Sequence, residues 1–233
     1  MAWRDSRGSR RRLLLFLLSM VLGVAALVSI NSFGVNLRET VDAESRSLLG
    51  ADLSLESGRK FSEEAEALID SLGGEQSRSI TFPSMAFFPR SDATRLVTVR
   101  ALRGDYPYYG AIETEPAGAA RSYLARRGAL VDATLMNQFH VSVGDSVRIG
   151  DITYPVAGRL ISTPRENQAM MLLSPRVYVP LDSLDTSLLG LGSRADYEAY
   201  LKFPPGTDVE ALTERLEPRF KELHVGYDTV EEV

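Results

Sequence analysis

The chain has 233 residues, 44% of them apolar and 24% charged, and a formal net charge of −5. It contains no cysteine, which excludes a disulfide framework and any cysteine-based metal site, and its acidic balance argues against a phosphate-neutralising basic stripe and so against a nucleic-acid partner. No G-x-S-x-G elbow and no G-x-x-x-x-G-K-[ST] loop occurs, so neither a hydrolase nucleophile nor a P-loop ATP site is signalled.

Charge is unevenly spread. Residues 1–37 carry +4, from five arginines and Asp5, which leaves −9 on residues 38–233. Between Arg12 and Arg38 lie 25 residues without a charge, and Leu13 to Ile30 is almost wholly apolar. Eighteen residues of helix span roughly 27 Å, close to the ~30 Å hydrocarbon core of a bilayer. Residues 1–12 therefore read as a basic cytoplasmic segment, and 13–37 as a transmembrane helix that continues to about 49. Arg10, Arg11 and Arg12 set its orientation, with the N-terminus in the cytoplasm and residues after about 37 outside. The alternative is a cleaved signal peptide, with Val24-Ala25-Ala26 as its cleavage motif.

Residues 50–233 read as an extracytoplasmic α+β domain. Gly50 ends the first helix, and Ala51 to Ser57 alternates as a strand with Leu53 and Leu55 on one face. Ser62 is placed to cap a helix carrying Ala65, Leu68, Ile69 and Leu72, which Gly73-Gly74 stops. Ser79 to Phe88 and Thr94 to Leu102 are extended runs joined by a Pro89–Asp92 loop. In the second run Leu96, Thr98 and Arg100 face one way, and Val97, Val99 and Ala101 the other. Asp132 caps a short helix, with Val131 and Met136 as its hydrophobic staple. Gly150-Asp151 between 146–149 and 152–154 predicts a type II′ hairpin. Ala195 to Phe203 keeps period two. Thr207-Asp208-Val209-Glu210 reads as a capping box for a last helix, which Pro218 should kink or end early. Val225 to Val230 can start another strand. Hairpins outnumber βαβ units, which points to a mixed α+β fold.

Candidate chemistry is sparse. His140 and His224 stand alone and read as structural, so no catalytic, cofactor-binding or metal-ligating residue is assigned and no cofactor is expected. Three clusters form a candidate apolar contact surface for a lipid or a partner protein: Phe82, Met85, Phe87 and Phe88; Tyr106, Tyr108 and Tyr109; Met170 and Met171 with Leu172 and Leu173. Core packing is the alternative for each.

Several stretches, in order, resemble the start of an ABC transporter permease of the MacB/FtsX type, nearest the YbbP-like branch. They are Ala2-Trp3-Arg4-Asp5 before the apolar run, Leu48 to Leu53 after it, Tyr106-Pro107-Tyr108-Tyr109-Gly110, Val143-Gly144-Asp145 before the hairpin, and Tyr227 to Glu231. The resemblance implies a MacB-like periplasmic core domain behind one span, with further spans beyond Val233. It also implies the bilayer, a cytoplasmic ABC ATPase subunit and a second permease subunit as partners, and location in the plasma (inner) membrane. Such a chain is not itself an enzyme; it serves transport or mechanotransmission on lipid, lipoprotein, peptide or envelope substrates. The alternative is a single-span, membrane-anchored binding or sensor domain.

Overall fold

The computed structural model describes residues 2–164, 174–184, 189 and 194–230. Two compact units divide the chain, Met1–Glu44 and Ser45–Val233. The first unit is helical throughout its described residues, part of α1 (Ala2–Leu49). Within it, Phe16–Gly34 has a mean hydropathy of 2.1 and exposes every side chain, so it is long and apolar enough to cross a membrane.

The second unit is built on a mixed sheet of ten strands among the described residues. These are β1 (Leu53–Ser57), β2 (Glu75–Phe88), β3 (Ala93–Arg103), β4 (Glu113–Glu115), β5 (Ala129–Asp132), β6 (Ser146–Ile149), β7 (Ile152–Ser162), β8 (Arg176–Pro180), β9 (Asp196–Lys202) and β10 (Gly226–Thr229). Their order is β10-β1-β9-β2-β3-β8-β5-β7-β4, and β6 bridges β2 and β7. Most pairings are antiparallel; β3 with β8 and β5 with β7 are parallel. Among the described residues, the α-helices that follow α1 are α2 (Glu63–Ser71), α3 (Ala119–Ser122), α4 (Ala133–Phe139) and α5 (Val209–Leu223).

Alternation along the strands sorts the core. Leu53 pairs with Leu201 and Leu55 with Ala199, and all four pack with Ile69 of α2 and Phe220 of α5. Between them Ser54 pairs with Tyr200, which turns the opposite way and joins Tyr106, Tyr123 and Tyr178 in a tyrosine-rich layer. A third cluster lies further along the sheet, where Val97, Val99 and Ala101 meet Val131, Met136, Val177 and Val179.

Local chemistry decides most boundaries. The hydroxyl of Ser62 accepts from the Ala65 amide at 3.2 Å, and Asp132 Oδ1 accepts from the Thr134 amide at 2.7 Å. Gly150 has φ +58 at the head of the β6–β7 turn, and Asp151 does not join it in the left-handed region, as a type II′ turn requires. His140 and His224 both end helices in left-handed conformations. Two expectations need correction. Asp208, not Thr207, caps α5, because its Oδ1 is the group that accepts from the Ala211 amide at 2.9 Å. Pro218 does not end α5, which continues to Leu223, since Phe220 is anchored in the core beyond it. A proline removes one amide donor, and buried packing on the next turn outweighs that loss.

Candidate functional site

Two sequence stretches 57 residues apart close into one joint, entirely within the second unit. After the last turn of α1, Gly50 takes φ +72, and its amide donates to the Arg46 carbonyl at 2.8 Å. The Gly50 carbonyl then accepts from the amides of Tyr108 at 2.8 Å and Tyr109 at 3.4 Å. One residue earlier, the Leu49 carbonyl accepts from the Tyr106 hydroxyl at 3.3 Å. A helix end leaves carbonyls without intrahelical donors, and the tyrosine segment supplies donors for them. Gly110 seals the other side, where a Cβ would meet the Ser47 side chain at 2.9 Å.

Asp52 fastens the joint to the sheet. It is buried, and its carboxylate accepts from the Tyr109 hydroxyl at 3.0 Å and from the Phe203 amide at 2.8 Å. Its own amide donates to the Leu201 carbonyl at 3.0 Å. Arg46 stands over the Tyr109 ring at 5.7 Å and 4.0 Å from the carboxylate. Burial, then the hydrogen bond to Asp52 and its charge, raise the Tyr109 pKa above its ordinary value. Tyr108 is raised as well, mainly by burial, although its bond with Ser77 opposes this.

Beneath the joint lies a buried cation. Arg100 lies opposite Tyr178 on β8. Its side chain passes Ser79 on β2, whose hydroxyl accepts from Nε at 3.2 Å, to reach β9. There its guanidinium donates to Glu198 at 3.2 Å and to the Tyr200 hydroxyl. The rings of Tyr106, Tyr178 and Tyr200 surround it at 5.4–5.8 Å. Burial works against its charge, yet Tyr200, Tyr178, Glu198 and Tyr106 together outweigh burial and raise its pKa. Glu198 and Ser79 also line a cavity of about 530 Å³ on the domain surface.

The site residues read from the sequence fare differently. Phe82 and Phe88 are buried in the third cluster and Tyr106 in the tyrosine layer, so these three do not belong to an exposed contact surface. Their strand register and the joint draw them inward. Met85 is 52% exposed opposite Leu96, which is 60% exposed, and Phe87 is half-buried under Arg148. Tyr108 and Tyr109 are half-buried in the joint. Met170 and Met171 lie outside the described residues, and so do the side chains of Arg10, Arg11 and Arg12. Sequence reading missed Asp52 and Arg100 as organising residues. Strand alternation placed Arg100 with Thr98 and Leu96 but could not show that Tyr178 and Tyr200 cover that end of the face. Among the described residues no cluster of histidines and carboxylates could hold a metal. The arrangement is suited to hold the last turn of α1 against the sheet.

The sequence profile of the MacB-like periplasmic core domain matches residues 13–219. The chain is 26% identical over 196 residues to the ABC transporter permease YbbP of Escherichia coli (strain K12), itself uncharacterized, covering 84% of this chain and 24% of that one. It spans about a quarter of the length of this curated relative. Among solved structures, it is similar to the periplasmic region of MacB from Actinobacillus actinomycetemcomitans, with a TM-score of 0.46 and 9% identity over 78% of this chain and 91% of that one. It is also similar to the extracellular domain of the noncanonic ABC-type transporter YknZ from Gram-positive bacteria, with a TM-score of 0.46 and 13% identity over 72% and 88% of the two chains.

Proposed function

This chain belongs to the family of MacB-like periplasmic core domains, and from that premise we propose that it is the first span and extracytoplasmic domain of an ABC permease subunit. In this reading Arg10 to Arg12 hold the N-terminus in the cytoplasm, the helix crosses the inner membrane, and residues after about 37 lie outside. A partner subunit hydrolyses ATP in the cytoplasm, and the chain itself catalyses nothing. The helix carries the resulting motion to the domain, which acts on a lipid, lipoprotein, peptide or envelope substrate. A second permease subunit completes the assembly.

One observation carries the reading. The segments Leu48–Leu53 and Tyr106–Gly110, whose resemblance to permeases is sequence-based, are the two that lock the end of α1 into the sheet. A tethered domain that only bound a ligand would not need residues 49–52 held by three bonds to backbone carbonyls and a buried carboxylate.

The test is co-purification of the full-length gene product with its cognate ABC ATPase from membranes. A stoichiometric complex whose ATP hydrolysis depends on the permease is expected. A permease that purifies alone, while the ATPase remains soluble and fully active, would overturn the proposal.

A further inference from the structure

A fully buried guanidinium is an expensive way to fill a core, because a hydrophobic group of similar volume stabilises as well or better. Arg100 is only 4% exposed and sits among three tyrosine rings, Ser79 and Glu198. Its position is informative. The Tyr106 ring lies between Arg100 and the end of α1: it is stacked on Tyr200 at 3.9 Å, its face lies 5.4 Å from the guanidinium, and its hydroxyl reaches the Leu49 carbonyl. The Tyr106 amide donates to Ser77 Oγ at 3.1 Å, and the same oxygen is bonded to the Tyr108 hydroxyl at 2.8 Å. Arg100 and Ser77 therefore fix Tyr106 from one side, and Leu49 and Gly50 meet the other end of its ring.

We propose that Arg100 is a positioning residue that sets Tyr106, and through it the closure of the α1 end onto the domain. Its planar fork holds Tyr200 and Glu198 on β9 while its face attracts Tyr106, a combination that an ammonium cannot reproduce. The cluster also reaches the wall of the 530 Å³ cavity at Glu198, which Arg100 links to the Tyr106 ring. The inference rests on reading the joint as the point where the helix drives the domain.

Hydrogen exchange of the full chain in lipid nanodiscs tests it without any transport assay. In Arg100→Met, the peptide carrying the Tyr108 and Tyr109 amides is expected to exchange roughly tenfold faster, while the β2–β3 ladder keeps its protection. Unchanged exchange at Tyr108, or an equal rise across the whole sheet, would overturn the proposal; the second result would mark Arg100 as a general stabiliser. If Arg100→Met fails to fold, the pair Arg100→Lys and Tyr106→Phe decides the matter. Arg100→Lys is expected to speed Tyr108 exchange several-fold in the wild-type background and to add nothing once the Tyr106 hydroxyl is gone. Independent, multiplicative effects of the two changes would contradict it. Failure here leaves the permease assignment standing, because that assignment is tested by co-purification.

Discussion

The Tyr106 ring lies 2.9 Å from the place that a Cβ on Gly50 would occupy, and its hydroxyl donates to the carbonyl of Leu49. The left-handed turn that ends α1 is thus closed by an aromatic side chain from a distant loop. Gly50→Ala should cost about 2–4 kcal/mol, combining the penalty of φ +72 for a residue with a Cβ and the displacement of a packed ring. Chemical denaturation followed by tyrosine fluorescence checks it. A loss below about 1 kcal/mol, the size of an ordinary helix-interior change, would show that the ring does not hold the turn.

Asp52 and Arg46 approach each other at 4.0 Å, but their worth differs. Asp52 is buried and accepts from Tyr109 and Phe203, so Asp52→Asn, which turns a donor toward one of them, should cost about 1–3 kcal/mol. The Arg46 side chain is 52% exposed, so Arg46→Met should change stability by less than about 1 kcal/mol. Equal losses in the two variants would mean that the ion pair, and not the hydrogen-bonded carboxylate, fastens the joint.

The joint should weaken in alkali. Tyr109 has a raised pKa because burial and Asp52 both favour the neutral phenol. Its contribution is therefore complete below the unfolded value near 10 and is lost as pH climbs through the higher folded value. Tyr109→Phe should melt below the wild type at pH 8, and the gap should narrow as pH passes above about 10. A gap that stays constant to pH 11 would show that the hydroxyl does not titrate against Asp52.

Much of the scaffold was legible because it is written in local chemistry. Ser62 and Asp132 are short acceptors placed ahead of apolar periodicity, and both cap their helices. Leu53, Leu55, Ala199 and Leu201 alternate in sequence and line one face. What stayed hidden depends on register between distant strands. Nothing near Arg100 in the sequence indicates that Ser79, Tyr178, Glu198 and Tyr200 will gather around it; strand pairing across 21 to 100 residues does that. The same holds for Phe82, Phe88 and Tyr106, whose aromatic character fits a contact surface and a core equally well until pairing chooses the core.

Pro218 offers a test of the local-versus-tertiary balance. It leaves the Glu214 carbonyl without its usual helical donor, and α5 persists because Phe220 packs on Tyr227 at 5.6 Å and within the core. Pro218→Ala should raise stability, by up to about 3 kcal/mol. A lower melting temperature would mean that the proline shapes α5 to fit the sheet.

Orientation can be read directly, since the chain has no native cysteine. Ser91→Cys, in the turn between β2 and β3, should react with a membrane-impermeant maleimide in spheroplasts, whereas Ser9→Cys should react only after lysis. The reverse pattern would invert the topology, and labelling of both in intact spheroplasts would exclude a spanning helix.

The central claim, that α1 drives the domain through the joint, is tested most directly by hydrogen exchange at Tyr108 in the full permease reconstituted with its ATPase. Exchange is compared with and without vanadate-trapped nucleotide, in the wild type and with Gly-Pro inserted after Val41. The account requires a nucleotide-dependent change at Tyr108 that the insertion abolishes while ATP binding is retained. A nucleotide response that survives the insertion, or none in the wild type, would contradict it.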